Sequence, residues 1–200
     1  MEKINEGLKK YIEENILPQY DTNIGGHGIA HINEVITRSF ELNEAFNLNL
    51  NPNMIYVIAA FHDIGYKVDP DNHEQVSADM FYEDNAMKYF FNDEERQTIY
   101  EAIIDHRASL DYEARSTYGK LVSSSDRATD IDIALWGIIL FQRDKHKDEN
   151  PSDLEIIEYS YQKLASKYGE NGYAKMYFPD QKYQDFLCLL YTSDAADDKA

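Results

Sequence analysis

The stretch Val57-Ile58-Ala59-Ala60-Phe61-His62-Asp63-Ile64-Gly65 decides how this chain is read. An apolar run leads straight into an adjacent imidazole and carboxylate. Such a run belongs in a core, and a polar pair at its end is costly there unless something satisfies both groups. A bound divalent cation would do so. Neighbouring residues on a helix point about 100° apart, so both side chains can meet one cation only where the helix abuts a cavity. Four more of the six histidines punctuate helix-like segments on either side: His27, His31, His73 and His106. Asp126 follows within another such pattern. The order His31, His62-Asp63, Asp126 is the feature to explain.

Outward from that stretch the pattern is helix after helix, with no repeat and no low-complexity linker. Ile4, Leu8, Tyr11, Ile12 and Ile16 lie at helical spacing and predict a helix over 3–16, ended by Pro18. The glycine-rich turn Gly25-Gly26-His27-Gly28 leads into a helix over 29–46 with the stripe Ile32, Val35, Ile36 and Phe40. Pro52 opens the helix that ends near Gly65. Helices are expected over 73–91 and from the Asn92/Glu95 capping pair to Ala108. Others are expected over 119–129, over 132–145, and from the Ser152/Glu155 pair to Tyr168. No hairpin signal interrupts them. The expected class is all-α, with Trp136, Leu135, Ile138, Ile139 and Phe141 in the core.

Two hundred residues most simply form one domain. The net charge of −18, from 19 basic and 37 acidic residues, argues against a nucleic-acid polymer as partner. A small anion still fits where a metal and a few cations make a local positive spot. Cys188 is the only cysteine, which excludes a disulfide framework and a cysteine-based zinc site. The first residues lack the apolar core of a signal peptide, and no run is long enough to span a membrane. A cytoplasmic protein with no membrane partner is expected; the oligomeric state stays open, a homodimer included. The tail Cys188-Leu189-Leu190-Tyr191-Thr192-Ser193-Asp194-Ala195-Ala196-Asp197-Asp198 resembles translated sequencing-adapter DNA. Residues 188–200 are therefore expected to be non-native, and 1–187 to be the domain.

Imidazole with carboxylate suits first-row metals, and two of each leave room for water and a substrate oxygen. Such a metal lowers the pKa of bound water and polarises the substrate. The residue contexts resemble the HD superfamily of metal-dependent phosphohydrolases. Gly26-His27-Gly28-Ile29-Ala30-His31-Ile32-Asn33-Glu34-Val35 is similar to its first motif. Ala59-Ala60-Phe61-His62-Asp63-Ile64-Gly65 is similar to its central motif, and Lys120-Leu121-Val122-Ser123-Ser124-Ser125-Asp126-Arg127 to its last. The resemblance spans about residues 25–130. It implies a compact helical bundle with His31, His62, Asp63 and Asp126 holding a first metal. His73 and His106 fall where a subset of the family holds a second, with Asp63 bridging. Fe or Mn is expected, with Mg, Zn, Co or Ni as further options, as one ion or two.

His27 is expected to line the cleft or support the ligands, not to bind metal directly. His146 is expected in a solvated charged segment. Lys67, Arg107, Lys120 and Arg127 are candidates to grip phosphate oxygens. Arg127 equally suits a salt bridge to Asp130 or an acidic helix. Glu74, Asp69 and Asp105 are candidates to support the ligands or to act as a general acid, although in so acidic a chain surface placement is the commoner fate.

Within the superfamily several groups fit poorly. Guanosine-tetraphosphate hydrolases carry an acidic pair where Ile64-Gly65-Tyr66-Lys67 stands here. Cyclic-di-GMP hydrolases carry Gly-Tyr-Pro where His106-Arg107-Ala108-Ser109 stands. Large deoxynucleoside triphosphohydrolases are longer, with a different first motif. The small enzymes that split symmetrical dinucleoside tetraphosphates are closer, yet Arg107 replaces their threonine. The resemblance is to an architecture. Its first implication is hydrolysis of a small phosphorylated compound such as a nucleotide, by way of a metal-activated water. Two alternatives are an HD-type di-iron oxygenase and a non-catalytic nucleotide-binding module.

Overall fold

The computed structural model describes residues 3–22, 27–169 and 171–197. Gly25 and Gly26 of the glycine-rich turn, and residues 198–200 of the tail, lie outside the described residues. The described residues contain helices and no strand, so the chain is all-α. Internal packing divides it into two compact units, Met1–Asp126 with Met176–Phe178, and Arg127–Lys175 with Pro179–Ala200.

The first unit is organised around α3 (Pro52–Phe61). Asn51 caps it, accepting from the Asn53 amide at 2.9 Å, and Pro52 occupies the first turn, where a missing N–H costs nothing. Every residue from Met54 to Phe61 is buried. A helix apolar on all sides is one enclosed on all sides. α2 (Ile29–Ala45), α4 (His73–Glu83), α5 (Asp93–Ile104) and α6 (Thr117–Ser125) pack around it. α1 (Glu6–Tyr11) runs into a π turn, Ile12–Ile16, and a 3-10 turn, Leu17–Thr22. Pro18 therefore tightens the helical path instead of ending it. The Tyr20 hydroxyl, buried, donates to the Ala60 carbonyl at 2.9 Å and ties this segment to α3.

Several helices stop earlier than their periodicity predicts, and for α4 and α5 a side chain accounts for the stop. α3 ends at Phe61, not Gly65, and residues 61–68 continue in tight turns: the Ile64, Tyr66 and Val68 amides donate to the carbonyls three residues back. α4 ends at Glu83 because Asp84 turns its carboxylate onto the Ala86 amide and the Tyr11 hydroxyl, starting a 3-10 turn at Asn85–Tyr89. α5 ends at Ile104, not Ala108, because buried Asp105 accepts from the Arg115 amide and guanidinium. The Asn92/Glu95 capping box opens α5 as expected. Gly65 has a steric role: a Cβ there would sit 2.7 Å from the Ser77 amide nitrogen and 2.8 Å from the His73 carbonyl. Its absence lets the turn after Asp63 lie against the start of α4.

In the second unit, α7 (Ile131–Lys145) starts at Asp130, whose carboxylate accepts from the Asp132 and Ile133 amides. α8 (Asp153–Tyr168) opens on the expected Ser152/Glu155 capping box, and α9 covers Gln181–Asp197, through the segment expected to be non-native. The expected core role of α7 is corrected. Trp136 is 65% exposed, Phe141 is also exposed, and Leu135, Ile138 and Ile139 are only half-buried. Gln142 is the one α7 residue that is buried.

Candidate metal centre

Six side chains from five segments of the first unit meet beside Phe61. His31 comes from the first turn of α2, and His62 and Asp63 from the turn after α3. His73 opens α4, His106 follows α5, and Asp126 closes α6. Together with His27 they form three overlapping groups able to hold a cation: His31, His62 and Asp126; Asp63, His73 and His106; and His27, His31 and Asp63.

Asp63 is the pivot. It is 1% exposed, and its two oxygens face different imidazoles. Oδ2 lies 3.3 Å from His62 Nε2 and 3.6 Å from His31 Nε2. Oδ1 lies 3.4 Å from both His73 Nε2 and His106 Nε2, and makes no hydrogen bond of good geometry. Asp126 Oδ1 sits 3.1 Å from His31 Nε2 and 4.0 Å from His62 Nε2. The imidazole nitrogens face each other, at 3.4 Å for His31 and His62 and 3.3 Å for His73 and His106.

The tautomers explain why this arrangement suits a cation. His62 Nδ1 lies 2.8 Å from the Ala59 carbonyl, His73 Nδ1 3.0 Å from Pro70, and His106 Nδ1 2.5 Å from Ile103. A carbonyl only accepts, so each Nδ1 carries a proton, and it is Nε2 of each ring that faces inward and can offer a lone pair once free of its own proton. At Asp63 Oδ1, two such lone pairs and a carboxylate oxygen converge. Something positive must sit among them, a proton or a metal. Donors around a metal at ~2.1 Å stand about 3.0–3.4 Å apart; most of the contacts here have that spacing, while His31 to Asp63 and His62 to Asp126 are wider, at 3.6 and 4.0 Å. The residues present fit a divalent metal at both imidazole pairs.

Electrostatics point the same way. Burial pushes the His62 imidazole down, but the Asp63 and Asp126 carboxylates overcome it and raise the group to about 9. Burial opposes ionisation of Asp63 too, yet the imidazoles of His62 and His27 hold its carboxyl well below the usual range. His73 is lowered, by burial and by His106 beside it, which keeps it neutral and able to ligate. The field that draws a proton to His62 also draws a divalent cation.

The structure joins His27 to this cluster directly. Its Nδ1 is 2.6 Å from Asp63 Oδ2, and its ring stacks on Tyr66 at 3.9 Å. Nothing in the sequence marks Tyr66 beyond its place directly after Gly65. The candidate phosphate-gripping cations have other partners. Arg107 donates to both Glu74 oxygens at 2.6 Å and to the Asp71 carbonyl at 2.5 Å. Lys120 pairs with Glu113 at 2.5 Å and lies over the Tyr177 ring. Arg127, nearly buried, belongs to the second unit, where its Nε donates to the Lys175 carbonyl at 3.2 Å. Lys67 is exposed on the turn after Asp63. Glu74 Oε2 lies 3.7 Å from His73 Nδ1, while Asp69 accepts from the Asp71 and Asn72 amides ahead of α4. Asp105 is taken up by Arg115. His146, in the second unit, pairs with Glu149 and stacks on Tyr159.

No helix among the described residues is long and apolar enough to cross a membrane. No curated protein and no solved structure matches the chain. Residues 28–133 match the HD domain, a span of just over half the chain that holds His31, His62, Asp63, His73, His106 and Asp126. With that match over the segment that builds the cluster, the chain belongs to the HD domain family.

Proposed function

We propose that this HD-family chain is a metal-dependent phosphohydrolase acting on a small phosphorylated compound, a nucleotide being the leading class. The supporting observation is the division of Asp63, one oxygen toward His31 and His62, the other toward His73 and His106. On this reading His31, His62, Asp63 and Asp126 hold one ion, and Asp63, His73 and His106 hold a second, with Fe or Mn favoured by the mixed imidazole and carboxylate donors. A divalent metal bound there supplies a water of near-neutral pKa and a Lewis acid for a phosphoryl oxygen.

The chain's own groups prepare that chemistry. The Ala59, Pro70 and Ile103 carbonyls hold three imidazoles in the ligating tautomer, so no reorientation precedes binding. Asp63, His62 and His106 are almost wholly excluded from water, which strengthens every charge interaction among them. His31 and Asp126 keep some exposure, which gives the cluster an open side for an anion. Arg107, held by Glu74 next to His73, stands on the side of the other imidazole pair, one residue after His106.

The test is elemental analysis of chain purified without chelator or affinity nickel. A screen for phosphate release from nucleotides and sugar phosphates with Mn2+ and Fe2+ follows. Bound metal and phosphate release are expected. Bound metal with O2 uptake and no phosphate release would replace the reading by the oxygenase. A nucleotide bound and not turned over would replace it by the binding module. Absence of metal uptake would sink the reading.

A further inference from the structure

The cluster holds one imidazole more than the two ions of the proposed reading use, although His27 also falls in a third candidate group with His31 and Asp63. His27 precedes α2, and Gly28 at the helix N-cap has extended backbone, so His27 lies outside the regular helix that carries His31. Were the helix continued back through it, the four-residue spacing would set both rings on one face. Instead the two rings meet edge-on, 5.9 Å apart and 80° to one another, and His27 turns to Asp63.

Two contacts fix it there. Its Nδ1 stands 2.6 Å from Asp63 Oδ2, the length of a charge-assisted hydrogen bond, whereas His62 and His31 stand 3.3 and 3.6 Å from the same oxygen. Its ring lies nearly parallel to Tyr66, at 20° and 3.9 Å between centres. Tyr66 is itself anchored to the turn that carries Asp63, its amide donating to the Asp63 carbonyl at 3.0 Å.

The geometry matters because the terminal torsion of an aspartate is broad and nearly two-fold. Oδ1 has no hydrogen bond to hold its plane, so that plane must be set from the other oxygen. A carboxylate oxygen has two lone pairs. Oδ2 can accept from His27 with one and offer the other toward His31 and His62.

We propose that His27, braced by Tyr66, is a positioning residue that sets the rotation of the Asp63 carboxylate, so that each oxygen addresses a different imidazole pair. The inference rests on the proposed two-ion reading and adds to it how the shared ligand is oriented. His27 acts through Asp63 and is not itself a ligand.

The test is a titration of chelator-treated full-length chain with Mn2+, read by calorimetry for affinity and stoichiometry. Electron paramagnetic resonance then reads the magnetic coupling that a bridging carboxylate gives between two Mn2+ ions. His27→Ala should bind the wild-type number of ions about 10- to 100-fold more weakly, the usual effect of losing a ligand's hydrogen-bond partner. Its coupling signal should be weakened. His27→Asn, whose Nδ2 can take the place of Nδ1 as donor, should recover most of both. Tyr66→Leu, which removes the brace and leaves the donor, should show a smaller loss of affinity. Loss of one ion per chain in His27→Ala would make His27 a ligand and overturn the proposal. So would unchanged affinity and coupling, or failure of His27→Asn to rescue. Wild-type chain that takes up no Mn2+ would sink the metal reading and this inference with it. Wild-type uptake with unaffected variants would sink only the role of His27.

Discussion

The two imidazole pairs on either side of Asp63 are alike in geometry and unlike in charge. His31 and His62 face two carboxylates, Asp63 and Asp126. His73 and His106 face only the second oxygen of Asp63. The nearest further carboxylate, Glu74, is neutralised by Arg107. The proton affinities follow the charges: His62 is raised despite full burial, and His73 is lowered. Similar nitrogen spacing thus coexists with different attraction for a cation. On the proposed reading the first pair fills at lower metal concentration than the second.

The largest expected effect comes from removing what the pairs share. Asp63→Ala should abolish metal binding at both pairs and phosphate release, with helix content by circular dichroism nearly unchanged. A purified variant that retains wild-type turnover would break the assignment. His106→Ala reaches only one side: metal per chain by elemental analysis should drop from two to one, and an unchanged value would make the site mononuclear. Gly65→Ala is a milder probe of the same side. Its Cβ would press on the Ser77 amide and the His73 carbonyl, forcing α4 outward at a cost of about 1–3 kcal/mol in denaturant unfolding. In a Mn2+ titration the second, weaker step should suffer more than the first. Equal weakening of both would show that the turn does not discriminate between them.

The smallest expected effect is in pH. A group raised in the folded chain stabilises it below its ordinary value and loses that contribution as pH climbs through the folded one. For His62 the window runs from 6.5 to about 9, so metal-free protein should lose stability across it. Metal ligands bind deprotonated, so metal affinity should rise over the same interval. The gap in melting temperature between Mn2+-loaded and chelator-treated protein should therefore widen from pH 6.5 to 9. A constant gap would argue that His62 does not hold the ion.

Much of the helical map was legible in the chain. Capping pairs announce α5 and α8, and Pro52 announces α3, because these signals act through their own neighbours. The early ends of α4 and α5 were not legible, since Asp84 and Asp105 act through Tyr11 and Arg115, remote in sequence or beyond a loop. α7 misled for a related reason. Its stretch 131–141 is as rich in apolar residues as α3, yet α3 is enclosed on every side while α7 leaves Trp136 largely exposed. Apolar content states what a helix would gain by burial, and only neighbours decide whether burial occurs. The proposed cation grips failed similarly: Arg107 and Lys120 each found an acidic partner that proximity in sequence did not reveal.

By itself the sequence determined that this is an all-α chain of the HD family carrying an ordered set of histidines and aspartates. Periodicity, caps and motif order are properties of the chain read along its length. Tertiary structure alone decided that Asp63 divides its oxygens between two imidazole pairs and that His27 grips one of those oxygens. Those facts depend on side-chain rotation and on helices distant in sequence arriving within about 3 Å of one another, which no spacing along the chain encodes.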